Sequence, residues 1–422
     1  MNGRGRRRWR QSRVLGLLRS IGPEMVSGAS DNDPTNVGTA AVVGAQTVYR
    51  LSWVALLVAP LLAVVLAIAA QVGMVAGSDL QSLTLKRYGR RVAAMLLVSV
   101  VAVNVVTIAA DVQAGAAGIG LLAGIDFRWI VVPLALALAG LLVMGRYGQV
   151  AAVLRYLLPG FVAFTAAAIL AHPDWPRLLS ASLVPALSLR GGQVAGALAL
   201  LGTTLTSYVY VWETVQRGVE EPAGDSPGRH GLGRARAGAA VGAVFTAVIL
   251  WSMLVASAAT LGRRHQPVAS AQDAARALRP LAGPLAGDLF AAGLVISAVV
   301  ALPVLMASTA YVAGAQFDWR RGLSQPIGQA SRFYAVLAAS AGLAVAVTLA
   351  GVPVFGMLVA ASVIGGLGTP IGLVLLVRLA RDPQIMGDRA ISRRLALAGW
   401  MIAVGVGGLG VLFVLGAAFG SL

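Results

Sequence analysis

The sequence predicts an all-α polytopic membrane protein of about eleven transmembrane helices, built as a 5+5 inverted repeat with helices one and six broken. Three observations carry this. Of its 422 residues, 58% are hydrophobic and only 12% charged, about half the charge of a soluble domain. Apolar runs long enough to cross a bilayer, about 20 residues each, recur along the whole length and leave no room for a soluble domain. Two of those runs, one opening each half of a ten-helix core, are interrupted by polar and helix-weakening residues, the expected mark of an inverted repeat with its site at the junction.

The spans are expected near residues 20–48, 51–77, 91–122, 129–145, 149–171, 192–219, 237–261, 284–315, 333–352, 354–378 and 395–419. They divide the chain into a basic tail at 1–18, a first five-helix repeat at 19–172, a second at 192–378 and an additional helix at 395–419. Roughly three quarters of the 33 Lys and Arg residues lie in the tail and in the loops on its side of the membrane. By the positive-inside rule this puts the amino terminus in the cytoplasm and the carboxyl terminus outside, across the inner (plasma) membrane. The same distribution accounts for the net charge of +17 without a nucleic-acid partner. No small-residue cleavage pattern follows the basic tail, so the first span is read as retained.

Cysteine is absent, which excludes disulfides, thiolate metal sites and cysteine nucleophiles. His172, His230 and His265 all fall in expected loops. A metal held within the membrane must then use oxygen ligands or methionine. Spans without His, Cys or a paired nucleophile and base do not suggest an enzyme, and no cofactor is called for.

Segment one carries Asp31, Asn32, Asp33 and Asn36 with Pro34 among small apolar residues. Ionisable groups at that depth are costly and Pro34 removes a helical hydrogen bond, so stability alone does not explain them. A helix broken there offers carboxylates and freed carbonyls to a cation. Segment two is bland, its Gln71 reading as a satisfied packing residue. On segment three, Asn104, Thr107 and Asp111 follow a spacing of three and four, so they share one face, which must point inward or at water. Segments four and five are apolar, with Arg155 snorkelling to the inner surface. The proline-bearing connection from His172 to Gly192 has room for a short surface helix.

Segment six is weakened at its centre, Gly202-Thr203-Thr204-Leu205-Thr206-Ser207, by hydroxyls, β-branched residues and one glycine. Segment ten contains Ser362, Gly365, Gly366, Gly368, Thr369 and Pro370, another weakened helix. The glycines from Gly405 to Gly410 in segment eleven suit close helix packing.

The order Gly22-Pro23, then Asp33-Pro34-Thr35-Asn36, then Gly44-Ala45 and Tyr49 with Trp53, resembles the first two helices of the natural resistance-associated macrophage protein (Nramp) family of divalent-metal transporters. The run from Leu201 to Tyr208 looks like the broken sixth helix of that family, and Arg381 to Gly387 like its loop after the tenth. The resemblance covers essentially the whole chain. It implies a LeuT-like fold with the metal bound between helices one and six, and by position it gives Asp33 and Asn36 the metal-binding roles. The departures are specific. The signature reads Asp-Pro-Gly-Asn, and here Thr35 replaces glycine. Where helix six of the family reads Met-Pro-His, this chain has Thr206, Ser207 and Tyr208, and a later histidine is Glu213. On helix three Asp111 fits an acidic proton-route position, but Ala114 stands where a glutamate follows it. Ser362 takes the polar helix-ten position, often glutamine. The chain thus resembles a divergent, Nramp-related branch.

Residue by residue, bland readings stand beside functional ones. Asp33 is either a ligand or a helix-end Asp-Pro pair. Asp31 is a second carboxylate or a vestibule group. Asn36 caps its half-helix whether or not it binds metal, while Thr204 and Thr206 either supply hydroxyls or bond their own backbone. Asp111 is a proton or ion relay or a buried hydrogen-bonded group. Glu213 either lines the inner vestibule or reaches the surface with Glu220.

The expected function is secondary transport of a divalent cation of the Mg²⁺ or Mn²⁺ class with relaxed selectivity, by alternating access. Candidate ligands are Asp31, Asp33, Asn36, Thr206 and Ser362, with Asp111 and Glu213 on a proton or ion path. Proton linkage is left open by Ala114. A monomer in the bilayer is expected. The alternatives are a sodium-coupled amino-acid or organic-solute carrier of the same fold and a non-transporting metal sensor.

Overall fold

In the computed structural model, residues 31–144, 157–186, 191–220, 229–262 and 285–419 are described. All regular structure among them is helical. Helix α1 spans Pro34–Thr47, α2 Ser52–Ala76, α3 Leu80–Ala123 and α4 Arg128–Met144. After a 3₁₀ turn at Leu158–Phe161 come α5 Val162–Leu170 and α6 Trp175–Leu183. Helices α7 Gly191–Thr204 and α8 Ser207–Val215 are the two halves of segment six, and α8 continues as a π turn at Gln216–Glu220. The remainder are α9 Arg229–Thr260, α10 Leu285–Gln316, α11 Ser331–Leu349, α12 Val354–Arg381, α13 Pro383–Met386 and α14 Arg393–Ala418.

Eight of the described helices are long and apolar enough to cross a membrane, counting α7 and α8 together as one, and α4 is a shorter apolar helix. Segments one and five lie partly outside the described residues, so the eleven expected spans are matched in all the others. Arg155 and His265 also lie outside them. Helix α9 begins eight residues earlier than expected, which puts His230 on a helix and not in a loop. The connection after His172 carries α6, whose Asp174 cap accepts the Arg177 N–H.

The interior is apolar and closely packed. Helix α3 packs along α10 and α12, and α9 lies across α1 and α2. Gly89, at φ 81° and ψ 177°, splits α3 into a short amphipathic piece and the span proper, a backbone geometry that glycine adopts without steric cost. Gln71 is buried between Arg236, which donates to its Oε1 at 2.9 Å, and the Arg389 carbonyl, which accepts from its Nε2 at 2.7 Å. It is the satisfied packing residue expected of it.

At the end of the bundle carrying most of the described arginines, polar side chains tie loops to helices. Asp79 caps α3 and takes a bond from Arg321 at 3.0 Å. Thr214 of α8 accepts the Leu80 N–H at 3.0 Å, and the Tyr311 hydroxyl donates to Glu220. Arg87 of α3 pairs with Asp382, which follows α12. The Arg87 guanidinium holds that carboxyl below the usual carboxylate range.

Candidate metal-binding site between the helix breaks

Pro34 occupies the first position of α1, where its missing N–H costs no helical bond. The chain before it, residues 31–33, is non-helical. Asp33 is the cap: its Oδ1 accepts the Asn36 N–H at 2.6 Å. Asn36 turns back to donate from Nδ2 to the Asp31 carbonyl at 2.8 Å, which closes the break into a tight polar turn. Asp31, Asp33 and Asn36 are all buried, with at most 1% of their surface exposed. The ligand and capping roles of Asn36 are therefore compatible, because its amide nitrogen makes the turn and its Oδ1 has no partner among the described residues.

The second break falls where the hydroxyl-rich run predicts it. Helix α7 ends at Thr204, and Thr206, with φ −57° and ψ 148°, is the extended residue that starts α8. The two threonines part company here. Thr204 donates to its own helix at Leu200 at 2.8 Å, the bland reading. The Thr206 hydroxyl is buried and has no partner among the described residues, and the same holds for the hydroxyls of Thr203 and Ser207. The carbonyl of Leu205, orphaned by the break, accepts the Thr369 hydroxyl of α12 at 3.0 Å. Gly202 permits that contact. A Cβ there would sit 2.2 Å from the Ser362 carbonyl, so α7 and α12 meet backbone to backbone.

One residue joins the two breaks directly, and α3 and α12 add contacts to the first. The Tyr208 hydroxyl of α8 donates to Asp33 Oδ2 at 3.1 Å, joining the two across 175 positions of sequence. Asp111 of α3 accepts both from the Thr35 backbone N–H, at 2.9 Å, and from the Thr35 hydroxyl, at 2.6 Å, through one oxygen. Its other oxygen is buried without a partner among the described residues. Thr35 thus gives meaning to the departure from Asp-Pro-Gly-Asn: glycine could supply the first of these bonds and not the second. Ser362 of α12 lies beside α1, 2.7 Å from the Thr39 hydroxyl, and donates to the Leu358 carbonyl.

The polar face of α3 points inward as its spacing required. Asn104 donates to Ser308 and Thr309 of α10, at 3.0 and 2.9 Å, and Asp111 faces α1. Glu213 stands apart from the break. It is fully buried two turns along α8 and paired with Arg217 at 3.3 Å, so of its two readings the surface position is not the one adopted. Tyr208, Thr203 and Ser207 were not among the candidate ligands. The only signal for them was membership of the hydroxyl-rich run, which does not say which hydroxyls stay unbonded.

Among the described residues, no Lys or Arg pairs with Asp31, Asp33 or Asp111. Nor do three His, Cys, Asp or Glu side chains gather closely enough to hold a metal alone. Carboxylates removed from water without counter-charge are costly, so this cluster calls for a cation or for protons. The available ligands are carboxylate, amide, hydroxyl and carbonyl oxygens, the donor set of a hard cation.

Residues 24–416 match the sequence model of the natural resistance-associated macrophage protein-like (Nramp) family. The chain belongs to the Nramp family. A relative in Deinococcus radiodurans, the divalent metal cation transporter MntH, is 28% identical over 400 residues, covering 93% of this chain and 88% of its own. A solved variant of the manganese transporter of Eremococcus coleocola superposes with a TM-score of 0.78 at 19% identity, over 96% of this chain and 88% of that one. The nucleobase-cation-symport-1 transporter Mhp1, in a closed conformation, superposes at 0.59 with 14% identity, over 94% and 92% of the two chains. The fold is therefore the LeuT-like one anticipated, and transporters of metals and of organic solutes share it. Nramp membership agrees with the expectation that the chain is not an enzyme.

Proposed function

We propose that this Nramp protein is a secondary transporter that carries a divalent metal cation inward across the plasma membrane by alternating access, binding it between the breaks of segments one and six. The observation that carries this reading is the set of buried oxygens on Asp31, Asn36, Thr206 and Ser207 that have no partner among the described residues, at the two breaks that Asp33 and Tyr208 join. Leaving such atoms unsatisfied costs about 1 to 3 kcal/mol each, and a cation answers all of them together. An organic-solute carrier would need a weakly charged break able to receive a substrate carboxylate. Asp31 and Asp33 oppose that.

The ion is of the Mg²⁺ or Mn²⁺ class. No thioether stands at Thr206, so the site lacks the soft ligand that would favour later transition metals. The arginine distribution supports an amino terminus inside. Uptake of Mn²⁺ into proteoliposomes is expected, with excess Mg²⁺ competing. Strong Mn²⁺ or Fe²⁺ flux that Mg²⁺ leaves untouched would overturn the selectivity, and binding without flux would make the protein a sensor.

Asp111 is assigned to proton or ion relay, since it touches the first break through Thr35 and keeps one oxygen unbonded. In Asp111→Asn, acid-driven uptake is expected to vanish while uptake down a metal gradient persists. Thr35→Ala, which removes the 2.6 Å hydroxyl bond and leaves the carboxylate, should retain coupling. Unchanged coupling in Asp111→Asn would dismiss the relay.

A further inference from the structure

A cavity of about 600 Å³ opens between the inner piece of α3, the end of α12 and the start of α14. Its walls carry Arg87, Arg378, Arg381 and Arg393, with Asp382 as the one carboxylate and Trp400 as the lining residue furthest along α14. The arginines are exposed at their tips. Two are already committed: Arg87 to Asp382, and Arg381 to the Ile391 carbonyl at 3.3 Å. Arg378 and Arg393 make no hydrogen bond or ion pair among the described residues. The cavity therefore holds excess positive charge, with two arginines ready for an anion.

Its surroundings are those of a membrane surface. Leu397 lines the cavity, and the same face of α14 continues through Met401 and Val404, which are 61% and 70% exposed. Further along that seam lies a second, apolar cavity of about 330 Å³ formed by Leu367 and Pro370 of α12 with Gly407, Gly410, Val411 and Val414 of α14. Seven residues, from Trp400 to Gly407, separate the two along α14, which at the helical rise is about 10 Å. That fits within one leaflet, about 15 Å of hydrocarbon. Trp400 between them suits the headgroup level, where tryptophan concentrates.

We propose that the α12–α14 seam binds an anionic phospholipid from the leaflet at the arginine-rich end, its phosphate on Arg378 and Arg393 and an acyl chain laid along Leu397 toward the glycine-lined cavity. Arginine suits phosphate because its planar fork donates two parallel bonds. Basic pockets between transmembrane helices at that level are the expected place for such headgroups. The arginines lie on other residues than the two helix breaks, while the apolar cavity backs onto the part of α12 that meets the second break, where Gly366 faces Gly202 and Thr369 bonds Leu205. The lipid assignment does not rest on the metal assignment.

Native mass spectrometry of the full chain, released from mixed phosphatidylglycerol and phosphatidylcholine nanodiscs, tests this. Wild type should retain phosphatidylglycerol in preference. Two exposed arginines near a membrane surface contribute roughly enough for a 30-fold change, so Arg378→Ala with Arg393→Ala should bind about 30-fold more weakly. The double lysine variant should recover part of the preference. Gly407→Leu, which fills the apolar cavity and leaves the arginines, should weaken lipid binding without affecting inorganic phosphate. Equal retention of the two lipids by wild type, or no loss in the double alanine variant, would overturn the proposal. Inorganic phosphate displacing phosphatidylglycerol at equal concentration would reduce the site to a soluble-anion site and overturn it too.

Discussion

Asp33→Asn is expected to abolish metal-dependent stabilisation and reduce uptake to background while the apo protein stays folded. The substitution separates the two things Asp33 does. As a cap it accepts the Asn36 N–H on Oδ1 and the Tyr208 hydroxyl on Oδ2. The one oxygen of asparagine keeps the cap, asparagine being as good a cap as aspartate, and its Nδ2 can donate to the Tyr208 oxygen in place of the second bond. As a buried carboxylate it supplies charge, which asparagine cannot. Changes merely adjacent to a metal ligand cost 10 to 100-fold in affinity, so loss of a charged ligand should cost about 100-fold or more. At a metal concentration 100 times its Kd, the wild type should gain about 2.7 kcal/mol from binding. The variant should gain about 0.4 kcal/mol or less at the same metal concentration, at an apo thermal midpoint within a few degrees of the wild type. Metal stabilisation undiminished in Asp33→Asn would remove Asp33 from the site. A collapsed apo midpoint would show its role to be structural.

That separation explains what could be read from the sequence. Asp33, Pro34 and the run around Thr206 were legible because each violates the chemistry of a membrane helix, by charge, by a missing N–H or by clustered hydroxyls. The polar face of α3 was legible for the same reason, from spacing alone. Which hydroxyls remain unbonded was not legible. Thr204 and Thr206 are two positions apart and chemically identical, yet the first falls where it reaches the Leu200 carbonyl and the second falls in the break, where no preceding helical carbonyl is in line. Tyr208 and Thr35 reach Asp33 and Asp111 across helices, so their roles depend on packing that no local pattern encodes. Ser362 was read only as the polar ligand position of segment ten; its place beside α1 and its contacts with Thr39 and the Leu358 carbonyl were equally invisible. The start of α9 was missed because the arginines and glycines between 229 and 236 read as a loop, while the helix carries them beyond its apolar span to where Arg236 meets Gln71.

Thr206→Met is expected to shift the preference from Mg²⁺ toward Mn²⁺ by about tenfold, close to 1.4 kcal/mol. The hydroxyl it removes is buried and unbonded, so no structural hydrogen bond is lost. The Thr206 methyl packs closely on Gly365, where even an added Cβ would stand 3.3 Å from it, so the methionine must extend away from α12, and its flexible side chain can take that course. Its thioether is a soft ligand that Mn²⁺ tolerates and Mg²⁺ does not, so binding of Mg²⁺ should weaken while binding of Mn²⁺ holds or improves. Thr206→Val supplies the control: it keeps the shape and the β-branch, loses the oxygen, and should weaken both ions without changing their ratio. Calorimetric titration of both ions against the three proteins reads the ratio directly. A ratio that Thr206→Met leaves where it was would take the Thr206 side chain out of the coordination sphere, and selectivity would then rest on Asp31, Asp33 and Asn36 with the backbone carbonyls.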